Sequence, residues 1–259
     1  MRKKAGQVLI LVLLIVVVAL SVGLSIAARN ITNLRTSTQT EQSQRAFSAA
    51  EGGIEDVLSG GQAEIDRLVA AGETGDSVTV GNIDAKINVT SKSSLEDVVS
   101  EGNVAQVDLQ GATGSEILIE WAKPSDNSNP ASVEITQVNG SSGSYTQSRF
   151  AYSGGFHGAD EQGFSSANSG CSTVDFVYCA KIPLGVSPIL LRIKPFWNST
   201  DIRVSSVGAG TLPAQQYDVS STATTELGIV RKVLVTKTKL PQLPASFDYV
   251  LYSEGAIVK

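Results

Sequence analysis

Between Val8 and Ala28 the chain carries no charge and is built from leucine, valine, isoleucine, alanine, one glycine (Gly23) and two serines, Ser21 and Ser25. As a helix, that run is roughly 31 Å long at about 1.5 Å per residue, which is the thickness of a bilayer's hydrocarbon core. A secretory signal has a shorter apolar region, about 7–15 residues, closed by a small-x-small cleavage site. Ser25-Ile26-Ala27 and Ala27-Ala28 offer small residues, so cleavage near Ala28 is the alternative to a retained span. Beyond Ala28, however, neither Pro nor Gly occurs until Gly52. That continuity favours one helix that spans the membrane over residues 7–28 and simply leaves it.

Charge sets the expected direction. Arg2, Lys3 and Lys4 precede the run, and such clusters stay on the cytoplasmic side. The chain from Arg29 onward is therefore expected outside the cytoplasm. No second apolar span follows, so a single-pass protein is expected. The formal net charge of −5 leaves no footprint for nucleic acid.

Residues 29–72 read as a helical stem. Thr36 to Gln44 is polar all round and suits an exposed neck. Phe47, Ala50, Ile54, Val57 and Leu58 fall at i, i+3, i+7, i+10 and i+11, one stripe of an amphipathic helix. Gly52-Gly53 interrupts it with two residues that each cost about 1 kcal/mol relative to alanine, which predicts a bend or a close contact there. Ala63 to Ala71 resumes the helical pattern and stops at Gly72. Inside the apolar run, Ala19, Gly23 and Ala27 recur every four residues, a small-residue ladder that permits close approach of a neighbouring helix.

The basic leader ending in Gly6 (Lys3-Lys4-Ala5-Gly6-Gln7-Val8-Leu9-Ile10) is followed about forty residues later by Ala46-Phe47-Ser48-Ala49-Ala50-Glu51-Gly52-Gly53. Together the two elements resemble the N-terminal region of type IV pilus minor pilins of the PilX-type group and the related minor pseudopilins of type II secretion. The resemblance covers residues 1–60. It implies a short leader, residues 1–6, removed by a prepilin peptidase between Gly6 and Gln7, which would shift the formal charge from −5 to −8. It also implies other pilin-like subunits as partners, and marks Phe47, Ala50 and Glu51 as the family element. Two positions depart from the pattern of major pilins: Gln7 stands in place of an aromatic residue, and Leu11 in place of a glutamate. A glutamate in the bilayer is costly and persists only with a partner. Its absence fits a minor subunit, or a chain that never polymerises.

After Gly72 the period changes to two and the composition to Ser, Thr, Gly and Asn. Strands are expected at Ser77–Val80, Asp84–Thr90, Val104–Leu109, Glu116–Trp121, Val133–Val138 and Tyr145–Ala151. A second series covers Val174–Cys179, Ile189–Lys194, Asp201–Val207, Tyr217–Ser220, Gly228–Thr236 and Asp248–Tyr252. Turns are expected at Gly81-Asn82, Asn139-Gly140 and Pro124–Asn127. The fold class is thus α+β: a long N-terminal transmembrane and stem helix, then a mainly antiparallel extracytoplasmic β domain, sheet or sandwich, over 73–259. The glycine-rich stretch 153–170 is a long surface loop or a subdivision of that domain. Pro241 and Pro244 mark an edge linker before the last strand.

Chemistry is sparse. Cys171 and Cys179 would stand about 26 Å apart on one continuous strand, so a disulfide between them requires a chain reversal within 172–178. The single histidine, His157, lies in Gly154-Gly155-Phe156-His157-Gly158, and no Gly-x-Ser-x-Gly elbow accompanies it. A hydrolase would have to use it. Asp126-Asn127-Ser128-Asn129 and Asp160-Glu161 lack calcium-loop spacing. No catalytic residue, metal or cofactor is therefore expected. The expected function is structural: a minor pilin-like subunit of a type IV pilus or related filament, assembled through its first helix. The alternative is a single-pass, membrane-anchored surface β-domain protein that binds a partner without polymerising.

Overall fold

The computed structural model describes residues 5–72, 76–126, 129–141, 143–168, 170 and 173–244. The protein is α+β, one long N-terminal helix followed by antiparallel β-sheets. Helix α1 runs from Ala5 to Ser59, 55 residues without interruption, or about 82 Å. Its polar neck stays helical although threonine is a weak helix former. Thr32, Thr36, Thr38 and Thr40 each donate Oγ1–H to the carbonyl four residues earlier at 2.9–3.0 Å, so their hydroxyls are satisfied within the helix. The break comes at Gly60-Gly61, where Gly61 takes φ +71°, and not at Gly52-Gly53, which α1 carries through as helix. Helix α2 (Gly61–Ala71) then buries Ile65 and Leu68 and ends at Gly72.

Thirteen strands are described. They are β1 (Ser77–Val80), β2 (Ile83–Lys92), β3 (Leu95–Val99), β4 (Ala105–Asp108), β5 (Glu116–Trp121), β6 (Ser132–Ser141) and β7 (Ser144–Ser153). The remainder are β8 (Ser165–Ser166), β9 (Tyr178–Pro183), β10 (Pro188–Phe196), β11 (Thr200–Ser206), β12 (Gln216–Thr224) and β13 (Val230–Thr238). They form three sheets, of order β1-β2-β12-β13, β4-β10-β6-β7-β8 and β3-β11-β5-β9. Gly81, at φ +65°, makes the two-residue turn that pairs Val80 with Ile83.

By internal contacts the chain divides into two compact units. The first comprises residues 1–59, 75–87 and 220–233; the second comprises 60–74, 88–219 and 234–259. Residues 153–170, where glycine content predicts a loop or a subdivision, lie inside the second unit and contain β8, which pairs parallel with β7.

The second unit is a sandwich. Ile117, Ile119 and Trp121 of β5 and Ile202 and Val204 of β11 face Val133 and Ile135 of β6 and Leu191 and Ile193 of β10, all buried. Trp121 is held at its pole by Nε1–H donation to the Ala131 carbonyl at 3.0 Å, and Tyr178 stacks on it at 5.9 Å. One segment, residues 241–243, bonds to the β3 edge of one sheet and the β4 edge of the other. Leu243 bridges Val104 in antiparallel fashion (2.8 and 2.9 Å), Gln106 Nε2 donates to Pro241 O, and Gln242 Nε2 donates to Val98 O of β3. This is the edge linker that the prolines predict. The strand expected at 248–252 lies outside the described residues.

Two local expectations are corrected, and one strand is new. The strand expected at 174–179 begins only at Tyr178, because Thr173–Phe176 is a turn, with Phe176 N–H on Thr173 O at 3.2 Å. Asn139-Gly140 is not a turn; it lies inside β6, and the chain reverses between Ser141 and Ser144, which pair with each other. Strand β3 carries no strand signal in its sequence, since Glu96 and Asp97 are poor strand formers. It forms because Leu95 and Val99 alone point inward while β11 supplies the ladder.

Asp218 on β12 receives Lys92 Nζ at 2.6 Å and the Thr236 hydroxyl at 2.7 Å. The hydrogen bond from Lys92 holds its carboxyl below the ordinary value, against burial, which acts in the opposite sense. A depressed carboxylate stabilises the fold above its unfolded pKa, and that contribution disappears as pH falls through the folded value. Asp218→Asn is therefore expected to cost roughly 1 kcal/mol at pH 7, discounted for the exposure of Lys92. Denaturant midpoints of the two proteins should converge well below pH 4.

Candidate functional site

The feature with the clearest consequences is α1 itself, which divides by environment. From Ile10 to Leu34 its large apolar side chains are exposed, Leu24 by 74% and Ile10 by 68%. Its most apolar 18-residue window has a mean hydropathy of 3.1, and none of that window is buried against the rest of the chain. It is the one helix among the described residues long and apolar enough to cross a membrane. A greasy surface of this extent is not left to water in a soluble monomer. Ser21, inside the run, donates Oγ–H to Val18 O at 2.8 Å, so its hydroxyl needs no water.

Ala19, Gly23 and Ala27 lie on one face of this segment. With Val16, Leu20 and Leu24 they line a shallow apolar groove of about 540 Å³. A Cβ built on Gly23 would meet nothing within 4 Å, so the ladder faces open space. Gly6 and Gln7 stand in the first turn of α1; residues 1–4 of the leader lie outside the described residues.

The last part of α1 is seated within the first unit. Ala46, Ala49, Ala50, Ile54 and Val57 are buried, and Ala49 and Ala50 form a small core with Ile83, Ala85 and Ala223. Here the expected stripe is corrected: Phe47 is 45% exposed, while Ala46, one position earlier, is fully buried. The reason lies at the two glycines. A Cβ on Gly53 would stand 2.6 Å from Ser221 Oγ and 3.2 Å from Ala85 Cβ, and one on Gly52 would stand 3.0 Å from Val80 Cγ2. A backbone this close to β2 and β12 leaves room for alanine and glycine and none for phenylalanine. Of the three residues singled out in this stretch, Ala50 is thus a seat residue, whereas Phe47 and Glu51 face outward. Ser221, whose hydroxyl is buried without a hydrogen-bond partner, carries no sequence signal; it is found only through the glycine it touches.

The other residues singled out from sequence are in the second unit. Cys179 is disulfide-bonded, and the turn at Thr173–Phe176 supplies the reversal that a bridge requires. Cys171 lies outside the described residues. His157 stacks on Trp197 at 4.6 Å, with Phe164 and Phe196 also against Trp197. Its Nε2 is buried with no hydrogen-bond partner, so no serine hydroxyl is in place on that nitrogen. Asn127 and Ser128 lie outside the described residues, and among the described residues no three His, Cys, Asp or Glu side chains gather as a metal site. Set against protein-family models and against curated proteins, the chain matches no family model and no curated protein.

Proposed function

We propose that this chain is a structural, minor pilin-like subunit of a type IV pilus or related secretion filament. In this reading the apolar half of α1 crosses the membrane and then stacks against other subunits, with the β-rich remainder outside the cytoplasm. A prepilin peptidase removes residues 1–6 and leaves Gln7 as the mature N-terminus.

One observation carries the reading. A single continuous helix is packed into its own domain over its last turns and is bare over its first half. Such a helix transmits position rigidly from membrane to domain, as an assembly element must. The small-residue ladder adds support, because in lipid, where apolar side chains gain little by associating, backbone proximity decides packing. The leader and the Phe47–Glu51 element resemble the same family.

Two measurements test it. Mass spectrometry of the mature chain should find Gln7 as its first residue, and filaments sheared from cells should contain the chain. Gly23→Ile, which fills the ladder without lowering hydropathy, is expected to reduce its recovery in filaments severalfold while leaving it in the membrane. Recovery from membranes but never from filaments would favour the non-polymerising surface protein, a reading that Leu11 in place of glutamate also suits. A mature chain that begins beyond Ala28 would overturn both. A tethered hydrolase would instead require an activity lost in His157→Ala.

A further inference from the structure

In the first unit a groove of about 610 Å³ runs between α1 and the start of β13, lined by Ser43, Gln44, Phe47, Ser48, Arg231 and Lys232. The exposed ring of Phe47 provides its apolar part. Arg231 donates from Nε and Nη2 to Ser43 Oγ at 2.8 and 2.5 Å, which fixes its guanidinium along the wall. Among the described residues neither Arg231 nor Lys232 is paired with a carboxylate. Two turns further along the same helix, Glu51, Glu55 and Asp56 are all exposed, and they too lack a cation.

We propose that this groove seats the acidic turn Glu51–Asp56 of a second copy of the chain; the inference rests on the filament reading above and deepens it. Gln44, Ser48, Glu51 and Glu55 fall at i, i+4, i+7 and i+11, one stripe of α1. The carboxylates therefore lie on the stripe that walls the groove, seven residues or about 10 Å further along the axis. A copy displaced by that distance, and turned to face the groove, brings its Glu51 and Glu55 level with the first copy's Gln44 and Ser48, which line the groove together with Arg231 and Lys232. The two patches are different surfaces, so the contact is heterologous and can repeat without closing. Its charges are solvated and screened beyond about 8 Å at physiological salt, so they select register and partner, while close packing of the helices along their small-residue faces holds the copies together.

The test uses the full-length chain in detergent micelles. Lys232→Cys and Glu55→Cys proteins, mixed in equal amounts and mildly oxidised, are expected to give at least fivefold more disulfide dimer than either alone. Arg231→Glu with Lys232→Glu, tested by bifunctional cross-linking, should lower dimer yield at least fivefold. One protein that carries all four reversals, Arg231→Glu, Lys232→Glu, Glu51→Lys and Glu55→Lys, should restore it by itself, since each of its grooves then meets a turn of opposite charge. Equal yields for every cysteine combination, or reversed charges without effect, would overturn the proposal. The filament reading is scored separately: a chain found in filaments whose assembly ignores these charges sinks the groove alone. A Lys232–Glu55 bridge in a chain never found in filaments sinks the filament alone.

Discussion

Aspartates placed at Val17 and Leu20 are expected to release the protein from membranes. Each charge near the middle of a spanning helix costs about 3 kcal/mol, so the pair removes roughly 6 kcal/mol from insertion. The apolar window that supplies the insertion energy is wholly exposed, so no neighbouring element of the chain could shelter the carboxylates. After an alkaline carbonate wash, the wild-type chain should stay in the membrane pellet and the Val17→Asp, Leu20→Asp chain should move to the supernatant or be degraded. The same pair at Thr36 and Thr40, in the polar neck, should leave the pellet unchanged. A doubly substituted chain that still resists extraction would mean that α1 is not the anchor.

Gly53→Val is expected to unseat α1 within the first unit, whereas Gly52→Ala should be tolerated. A side chain at 53 points at Ser221 Oγ and Ala85 Cβ, both in buried residues of strands that cannot retreat without opening the sheet. Overpacking of this kind costs about 1–3 kcal/mol, and the upper end applies to a branched residue. A β-branched side chain recovers only part of the helix propensity that glycine forfeits. At position 52 the obstacle is the end of the half-buried Val80 side chain. A small rotation there clears an alanine, whose gain of about 1 kcal/mol in propensity offsets the contact. Thermal melts of the full-length chain in detergent should place Gly53→Val roughly 10 °C below wild type and Gly52→Ala within a few degrees of it. Equal melting temperatures for all three would mean that the close approach contributes nothing.

The seat at Gly52 and Gly53 also illustrates how far local pattern can be read. Two adjacent glycines in a helix announce a bend or a contact; only the position of Val80, Ala85 and Ser221 decides for contact. The helical period places Phe47 on the buried stripe, yet the ring is outside, because the nearness of the strands selects small residues and period alone is blind to that distance. Strand β5 is legible to the residue because Ile117, Ile119 and Trp121 alternate inward without a competing signal. Strand β3 was not, because its neighbour β11, more than a hundred residues later, supplies what its own acidic sequence lacks. The Arg231–Lys232 wall is illegible in the sequence for a similar reason: its cations stand beside α1 only once β13 has joined β12.

Sequence alone determined that the chain carries a helix long and apolar enough to cross a bilayer, followed by alternating strands. Both properties are local, set by unbroken hydrophobicity over twenty residues and by a period of two. Tertiary structure decided which small residues of α1 become its seat, that the strands sort into three sheets, and where the two units divide. Those outcomes rest on pairings such as β2 with β12, between segments over a hundred residues apart, and no short stretch of sequence encodes its distant neighbour.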